Sequence, residues 1–428
     1  MTTDSTDPLF VERAEPLNGL GFARQSPPRG AASFSATYIA SAGTSFDPEG
    51  REGLGHMVAQ LVTSGAGRLD RLALARRLDS LGGTLQAHAD PESAEVTVWG
   101  PAGAWDPLVE LLADAVLRPR FDEEDIARVR RQMVERQLRE SSQPGSRAEL
   151  ELFRSVFPPG HPYRLSGIGT RQTVTRIRRD DMRRFHRDHF TREGAAVVVT
   201  SPLSRVAAER TVRRRFADFP RDRAPANPRI PRPRLGAHAA RKVRMEGRSQ
   251  VEVRIGGPSI ARTDPEYPAL FLANEVLGGR PLLSRLFQKV REAHGLAYHA
   301  SSDVESMRWG GYWMAQAGTG PERADKVVEL LTAEVDRLGT EEVPDGELKE
   351  IRESVIGSIP LSLETTTGAH DLALDIVYYD RPGDFYRGWP ATLRAVTPTR
   401  MRAAARRGMD PSRASTVLAG PTKPTHPV

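Results

Sequence analysis

The sequence predicts an α+β fold made of two homologous domains. Three observations carry this expectation: strands and helices alternate along the chain, their order recurs in the second half, and a proline-rich stretch separates the halves. Residues 106–116 and 121–130 resemble residues 325–335 and 343–352, at offsets of 219 and 222 residues. A nearly constant offset over two helices and their connection favours duplication over a chance likeness of amphipathic helices.

Hydrophobic periodicity predicts the elements of the first half, which follow a loose leader at residues 1–17. We expect strands at residues 31–40, 84–89, 94–99 and 195–200. We expect helices at residues 54–64, 69–81, 106–117, 123–141, 147–157 and 179–190. The second of these helices ends at Gly82 and Gly83, because glycine is typical of the residue just past a helix.

A segment rich in proline and arginine, residues 220–234, follows the first half. Its prolines exclude a regular helix or an interior strand, so it is predicted to be an extended linker between domains 1–219 and 235–428. Beyond it we expect strands at residues 250–255, 297–303 and 311–317. Further helices are expected at residues 267–277, 282–294, 325–335 and 343–352.

Composition narrows the class of protein. The 428 residues are 39% hydrophobic and 27% charged, which is typical of a globular chain. The 61 basic residues exceed the 55 acidic ones only slightly and form no clustered stripe, so we expect no nucleic-acid partner. The absence of cysteine excludes disulfides, thiolate zinc sites and cysteine nucleophiles.

The N-terminus and the hydrophobic runs bear on location. Residues 1–16 are polar and acidic, without the basic and apolar regions of a signal peptide. No apolar run approaches the length of a membrane span, so we expect a cytoplasmic protein with no membrane partner. Frequent Ala and Arg suggest a GC-rich bacterial genome.

Residues 51–60 have the outline of an inverted zinc motif. That motif, H-x-x-E-H, places two His ligands on one helical face, with a Glu that activates water. Here His56 holds the first ligand position, whereas Ala59 replaces the Glu and Gln60 replaces the second His. A lone His56 cannot hold catalytic zinc, which needs three protein ligands, and Ala59 leaves no general base.

With the duplication, these residues resemble the pitrilysin-like metallopeptidases, specifically the small two-domain type that includes mitochondrial processing peptidase subunits and bacterial relatives. In the first half the resemblance rests on residues 42–47, 53–57, 81–83, 160–163 and 185–190. In the second half it rests on residues 249–251, 277–279, 284–287 and 291–298. It implies two homologous domains, each a mostly antiparallel sheet backed by helices.

The resemblance also implies a third zinc ligand, a Glu some way beyond the second His. Counting 77 residues from Gln60 reaches Gln137, a neutral amide, and a slip of the alignment would reach Glu135 or Glu140 instead. We therefore expect no metal in this chain. His186 and His189, three residues apart, are alternative ligands, although they are more simply ordinary residues of a helix end.

The second half of the sequence keeps a functional motif of the family that this chain resembles. The resemblance implies that an Arg and a Tyr seven residues apart reach a facing zinc site, and Arg291 and Tyr298 match. A Tyr hydroxyl and a guanidinium can donate hydrogen bonds to the oxyanion of a tetrahedral intermediate or to the peptide backbone. The structural alternative is a surface ion-pair residue, Arg291, beside a strand-core residue, Tyr298.

In two-chain members of that family one subunit carries zinc and the other supplies the Arg/Tyr pair. The resemblance therefore implies a heterodimer in which an H-x-x-E-H homologous subunit holds the zinc and an extended peptide is the substrate. Gly278 and Gly279 match a substrate-binding glycine loop, or form a plain turn. Thr84, Leu85 and Gln86 match an edge strand to which peptides add, or are its vestige.

Three functions stay open at this point. The first is the non-zinc subunit of a peptidase, acting in leader-peptide removal from a ribosomal peptide product or in general peptide turnover. The second is a catalytically inactive homodimer that serves as a scaffold or binds peptides. The third is a self-sufficient peptidase with a rearranged metal site.

Overall fold

The computed structural model describes residues 7–17, 19–164, 167–220 and 240–421. The strands are β1 (Val11–Leu17), β2 (Leu20–Gln25), β3 (Ser33–Ala40), β4 (Gly65–Ala66), β5 (Leu69–Asp70), β6 (Thr84–Ala89), β7 (Ala94–Pro101), β8 (Ala196–Thr200), β9 (Ala240–Arg244), β10 (Val251–Ser259), β11 (Ala297–Met307), β12 (Gly310–Thr319) and β13 (Ser415–Gly420). The proposed linker at residues 220–234 lies outside the described residues, apart from Pro220.

The helices alternate with these strands along the chain. They are α1 (Leu54–Val62), α2 (Arg71–Leu81), α3 (Trp105–Leu117), α4 (Glu123–Ser142), α5 (Pro144–Val156), α6 (Arg171–Arg176), α7 (Arg179–His189), α8 (Arg205–Arg215), α9 (Tyr267–Asn274), α10 (Ala324–Thr340), α11 (Asp345–Ser362), α12 (Thr366–Tyr378), α13 (Phe385–Arg394) and α14 (Pro398–Gly408). Two π-helical segments, Glu275–Gly279 and Phe287–Ala293, follow α9. None of the described helices is long and apolar enough to cross a membrane.

The two principal sheets repeat one strand order. The first runs β1-β2-β8-β3-β7-β6 and the second, from its opposite end, runs β9-β13-β10-β12-β11. Leaving β1 aside, each strand of the first sheet has a counterpart in the second. The pairs β2–β8 and β9–β13 are parallel and all other neighbours are antiparallel. The predicted α+β fold, a duplicated and mostly antiparallel sheet backed by helices, is confirmed.

The helices repeat as well. Helices α3, α4, α5 and α7 correspond in order to α10, α11, α12 and α14, and their first residues are offset by 219 to 222 positions. The offset detected in the sequence over two helices therefore extends over four, and over the strand pair β8 and β13 that follows them.

Each compact unit takes one helix from the opposite half of the sequence. One unit comprises Met1–Gln137, Gly167–Pro228 and Ser358–Trp389, and the other Leu138–Ser166, Arg229–Gly357 and Pro390–Val428. In the first unit α12 packs on β2, β3 and β8, whereas in the second α5 packs on β10 and β13. The compact units thus combine segments of both predicted domains, 1–219 and 235–428, and those boundaries stay a prediction.

The exchanged helices meet chemically different sheet faces. In the second unit α5 and the loop after it bury a mostly apolar cluster that includes Leu152, Phe157, Met314 and Val417. In the first unit the apolar core lies on the other face of the sheet, against α1 and α3, where the Phe34 ring meets Trp105 edge-on. The face that α12 covers in the first unit is instead largely polar.

A buried histidine joins α12 to that polar face. His370 Nε2 lies 2.7 Å from the Thr37 hydroxyl and Nδ1 lies 3.0 Å from the Thr200 hydroxyl. Because the Thr200 hydroxyl donates to Gln25 Oε1, it accepts from Nδ1–H, which leaves Nε2 to accept from Thr37. This network requires a neutral ring, and burial lowers the pKa of His370 to about 3.

Two expectations from the sequence are corrected. Residues 11–17 are no loose leader, because they form β1 and pair antiparallel with β2. The helix expected at residues 282–294 is shorter, because Leu282 has a φ of 68°, a left-handed conformation that a right-handed helix cannot include. Its π-helical part begins at Phe287.

Acid is predicted to destabilise the chain through its buried histidines. Burial also lowers to about 4 the pKa values of His56, His161, His186 and His189. Below about pH 6.5, these histidines become protonated in the unfolded chain but stay neutral in the folded chain. The free energy of unfolding therefore decreases as the pH falls below that value. At pH 5 we expect His370 alone to account for about 2 kcal/mol of that loss, measured by urea unfolding.

The control compares two substitutions. His370→Gln should flatten the pH dependence between pH 7.5 and 5, whereas the same change at the exposed His294 should leave the slope as it is. An unaltered slope in His370→Gln would contradict the neutral, buried state of this ring.

Candidate functional site

Helix α1 is held in place by a buried acid at its first turn. The Asp47 carboxylate accepts hydrogen bonds from the amides of Gly53 and Gly55, each at 2.7 Å. Burial raises the pKa of Asp47 to about 8, and the amide bonds oppose that rise. Gly53 has a φ of 97°, which favours glycine and lets the chain turn into the helix.

The degenerate zinc positions lie together on α1. His56 is buried, and its Nε2 lies 3.3 Å from the amide nitrogen of Gln60, so the two ligand positions of the motif do converge. Burial, then the positive charge of Arg136, then His88, lower the pKa of His56 to about 4. Ala59 is buried in the hydrophobic core. A neutral imidazole beside an amide, near a cation, is a poor environment for Zn²⁺.

Gln137 on α4 serves a structural contact instead. Its Nε2 donates to the Ile168 carbonyl at 2.8 Å, and the same carbonyl approaches Gly53 so closely that a Cβ there would lie 2.8 Å away. Gln137 therefore ties α4 to the loop that abuts the start of α1. Of the two alternative ligands, Glu135 is exposed and Glu140 is half-buried.

The residues of this site do not fit a zinc ion. His56 is the only imidazole of the motif, and within the described part of the chain no three His, Asp or Glu side chains are grouped so as to hold a metal. His186 is engaged by a backbone contact, whereas His189 Nδ1 is buried without a hydrogen-bond partner among the described residues. His186 Nε2 lies 2.8 Å from the Val116 carbonyl, and the His189 ring packs 4.5 Å from that of Phe185.

Arg291 and Tyr298 are brought together on the second unit. The Arg291 guanidinium carbon lies 5.3 Å from the centre of the Tyr298 ring and 5.0 Å from that of Phe287, within cation–π range. The Tyr298 residue is 78% exposed, so it is no core residue. Arg291 forms no ion pair with the described residues, so the surface ion-pair alternative does not describe it either.

A β-bulge aims Tyr298 outward. On the edge strand β11, Ala297 pairs with Thr319 and His299 pairs with Gly318, so Tyr298 is an extra residue with no partner in the register. Such bulges redirect a side chain locally. The family resemblance implied the pair, whereas the bulge has no signature in the sequence.

Neighbouring atoms pack closely against Gly278 and Gly279. Gly278 is buried, and a Cβ there would lie 2.2 Å from the backbone nitrogen of Ser302 on β11. A Cβ at Gly279 would lie 2.5 Å from the Glu275 carboxylate. These close approaches explain both glycines, and a role in binding substrate stays a prediction.

Thr84, Leu85 and Gln86 lie on β6, the last strand of the first sheet. Leu85 faces the apolar core, while Gln86 points to the opposite face and is exposed. Among the described residues no strand pairs with the outer side of β6, so its amides and carbonyls are available for strand addition.

Sequence reasoning missed a cavity of about 370 Å³ on that opposite face, between β6, β7 and α12. Its titratable lining residues are His88, Glu95, His370 and Asp371. The alternation of polar residues along β7 signals a second polar face, but the residues of α12 that complete the cavity lie far away in the sequence.

Two family models match this chain. One, described as Insulinase (Peptidase family M16), matches residues 22–155, and the other, described as Peptidase M16 inactive domain, matches residues 176–355. An uncharacterized zinc protease of Streptomyces coelicolor is 28% identical over 371 residues, 83% of this chain and 78% of that protein. A Helicobacter pylori protein named a non-peptidase homolog is 22% identical over 348 residues, 80% and 78% of the two chains.

Solved structures share the fold. A peptidase M16 inactive domain from Pseudomonas fluorescens superposes with a TM-score of 0.90 at 22% identity, covering 98% of this chain and 99% of that one. A protease from Helicobacter pylori also gives a TM-score of 0.90, at 18% identity, covering 96% and 99%.

The assignment of the degenerate ligand positions is testable by restoring them. The triple variant Ala59→Glu, Gln60→His and Gln137→Glu is expected to retain stoichiometric zinc after dialysis, because three protein ligands would then be present. The matched control is the double variant Ala59→Glu and Gln60→His, which keeps the native Glu135 and Gln137. It should lose its zinc on dialysis. Metal analysis decides; a triple variant without zinc would show that Gln137 does not hold the third position.

Proposed function

Since this chain belongs to the M16 family of peptidases, the pitrilysin-like family that its sequence resembles, and keeps only His56 of the H-x-x-E-H motif, we propose that it is the non-zinc subunit of a heterodimeric zinc metallopeptidase. It is a non-catalytic member on its own, because His56 is flanked by Ala59 and Gln60. The zinc would be held by a homologous H-x-x-E-H subunit.

One observation above all supports this proposal: Tyr298 is 78% exposed on an edge strand, with Arg291 stacked on its ring. Within the described residues the Tyr298 hydroxyl has no hydrogen-bond partner, so it is available to an external acceptor. A large exposed aromatic side chain contributes little to the stability of its own chain. Its contacts are therefore expected in a complex.

The chemistry fits the pair. Hydrolysis of a peptide places negative charge on the former carbonyl oxygen, and hydrogen-bond donors aimed at that oxygen stabilise the transition state. Tyr298 offers a phenolic O–H and Arg291 a fixed fork of N–H donors. The cation–π contact holds the two donors side by side, which reduces the freedom lost on binding.

The substrate proposed is an extended peptide. The free edge of β6, with Thr84, Leu85 and Gln86, can accept it as an added strand. Gly278 and Gly279 would act near Tyr298 only through the shape that they allow the π-helical turn. We place the complex in the cytoplasm, acting on leader peptides or in general peptide turnover, without nucleic-acid or membrane partners.

A second candidate is a homodimeric scaffold or peptide-binding protein. The observation in its favour is that both sheets end in strands, β6 and β11, whose outer edges no described strand covers. Peptide binding by these edges would need no metal. The two functions differ in their dependence on a zinc-bearing homologue.

The principal test mixes the purified chain with the H-x-x-E-H homologue of the same organism. Neither chain alone should cleave an unfolded peptide, and the mixture should. Tyr298→Phe is expected to reduce turnover of the mixture by about 100-fold, because it removes one donor to the oxyanion. Steady-state kinetics with a quenched fluorescent peptide provide the measurement.

Tyr379→Phe is the matched control, since it makes the same chemical change in the other compact unit and should preserve turnover. Unfolding curves of Tyr298→Phe should equal those of the unmodified chain. Full activity of the Tyr298→Phe mixture would remove this residue from the mechanism, and a stable homodimer that ignores the homologue would favour the scaffold.

A further inference from the structure

The cavity between β6, β7 and α12 is acidic and lies wholly within the first unit. Gln86 and His88 reach it from the edge strand, Glu95 from β7 and Asp371 from α12. Of the residues that the structure describes, neither Arg nor Lys lines it, although arginine is abundant in this chain.

The two carboxylates of this cavity have no hydrogen-bond or ion-pair partner in the part of the chain that the structure describes. Most buried or half-buried acids of the chain pair with arginine, as Asp181 does with Arg51. The half-buried Glu95 and the exposed Asp371, by contrast, form no hydrogen bond or ion pair with the described residues. Burial, then the charges of Asp90 and Asp371, raise the pKa of Glu95 to about 7.

In the second unit, the position that corresponds to Thr37 carries a positive charge. Thr37 pairs with Thr97 in the first sheet and Arg254 pairs with Gln316 in the second. Residues 97 and 316 are separated by 219, the offset of the repeat, so Arg254 stands where the first unit has Thr37.

Arg254 acts on the carboxylates around it. Burial raises the pKa values of Glu149 and Asp303, and the Arg254 guanidinium opposes that rise for both. Glu149 is the counterpart of Asp371 at the offset of 222 that relates α5 to α12. At this matched position the second unit carries the cation Arg254, whereas the first unit has the neutral Thr37.

We propose that this cavity binds the basic side chain of an extended peptide that adds as a strand to the free edge of β6. The inference rests on the peptide-binding role in the proposed function and names its substrate class: a peptide with Arg or Lys at one position. A guanidinium or ammonium group supplies the positive charge that Glu95 and Asp371 lack.

Strand geometry places such a side chain correctly. A strand added beside β6 lies about 4.8 Å from it, and alternate side chains of the added strand point to the face that carries Gln86 and His88. Glu95 lies on β7, the strand next to β6, where it pairs with His88. A long side chain of the added peptide can reach it there. The residues on either side of it in the peptide would point to the opposite face of the sheet. One basic residue at the right position is therefore enough to fill the cavity.

The test uses the full chain and N-acetylated, fluorescein-labelled nonapeptides of alternating Thr and Ser with Arg, Lys or citrulline at the centre. Citrulline keeps the shape of Arg without its charge. At pH 8, fluorescence anisotropy should show the Arg and Lys peptides binding at least about 10-fold more tightly than the citrulline peptide. Glu95→Gln should abolish that difference and Asp371→Asn should reduce it.

Glu124→Gln is the matched control, because Glu124 is exposed on α4 and its loss changes the net charge equally. It should keep the preference for the basic peptides. Methylation of alternate backbone nitrogens of the Arg peptide should weaken its binding, because strand addition needs those N–H groups. Unfolding curves of each variant confirm that it folds.

Equal affinity for the Arg and citrulline peptides would overturn the proposal, as would a preference that survives Glu95→Gln. Binding of agmatine, a free guanidinium compound, without binding of the Arg peptide would also overturn it, in favour of a small cation as ligand. The proposed function fails separately: Tyr298→Phe lies in the other unit and leaves the peptide preference intact even if the mixed subunits show no hydrolysis.

Discussion

The packing of α12 on the first sheet is the constraint on which the rest of this structure depends. It brings a helix from the second half of the chain against strands from the first, and His370 fixes it there by hydrogen bonds to Thr37 and Thr200. In return, α5 of the first half covers the second sheet. Neither half of the sequence can therefore complete a compact unit alone, and the α12-covered face of the first sheet, with its cavity, exists only once the whole chain has folded.

Duplication gave two sheets of one order and allowed their faces to diverge. The exchanged helix of the second unit meets an apolar face that includes Met314, whereas Glu95 holds the matching place in the first. Arg254 in the second unit and Thr37 in the first show the same divergence of charge. A fold tolerates such changes as long as each buried charge finds a partner, within the chain or outside it.

Local pattern was sufficient for most elements, because apolar periodicity reports which face of a helix or strand is buried. It failed at Leu282, where a left-handed residue delays a helix, and at residues 11–17, where a polar segment is stabilised by pairing with β2. The Arg291 and Tyr298 positions followed from the family resemblance, whose motif lies within one short segment of the sequence. The cavity was not, since Glu95 and Asp371 are almost three hundred residues apart and only the helix exchange joins them.

The positions of the zinc motif on α1 and the pair Arg291 and Tyr298 differ in the contacts that their side chains make. On α1, Gln60 contacts His56 and Ala59 fills the core, and on α4 the Gln137 Nε2 holds a loop while its Oε1 is buried without a hydrogen-bond partner among the described residues. On β11, the bulge directs Tyr298 away from the sheet, and Arg291 steadies its ring without satisfying its hydroxyl. Groups that a chain satisfies internally serve its own fold, whereas donors left exposed and pre-oriented lower the cost of binding something else. Among the described residues, His56 and Gln60 contact each other, whereas the Tyr298 hydroxyl meets no acceptor.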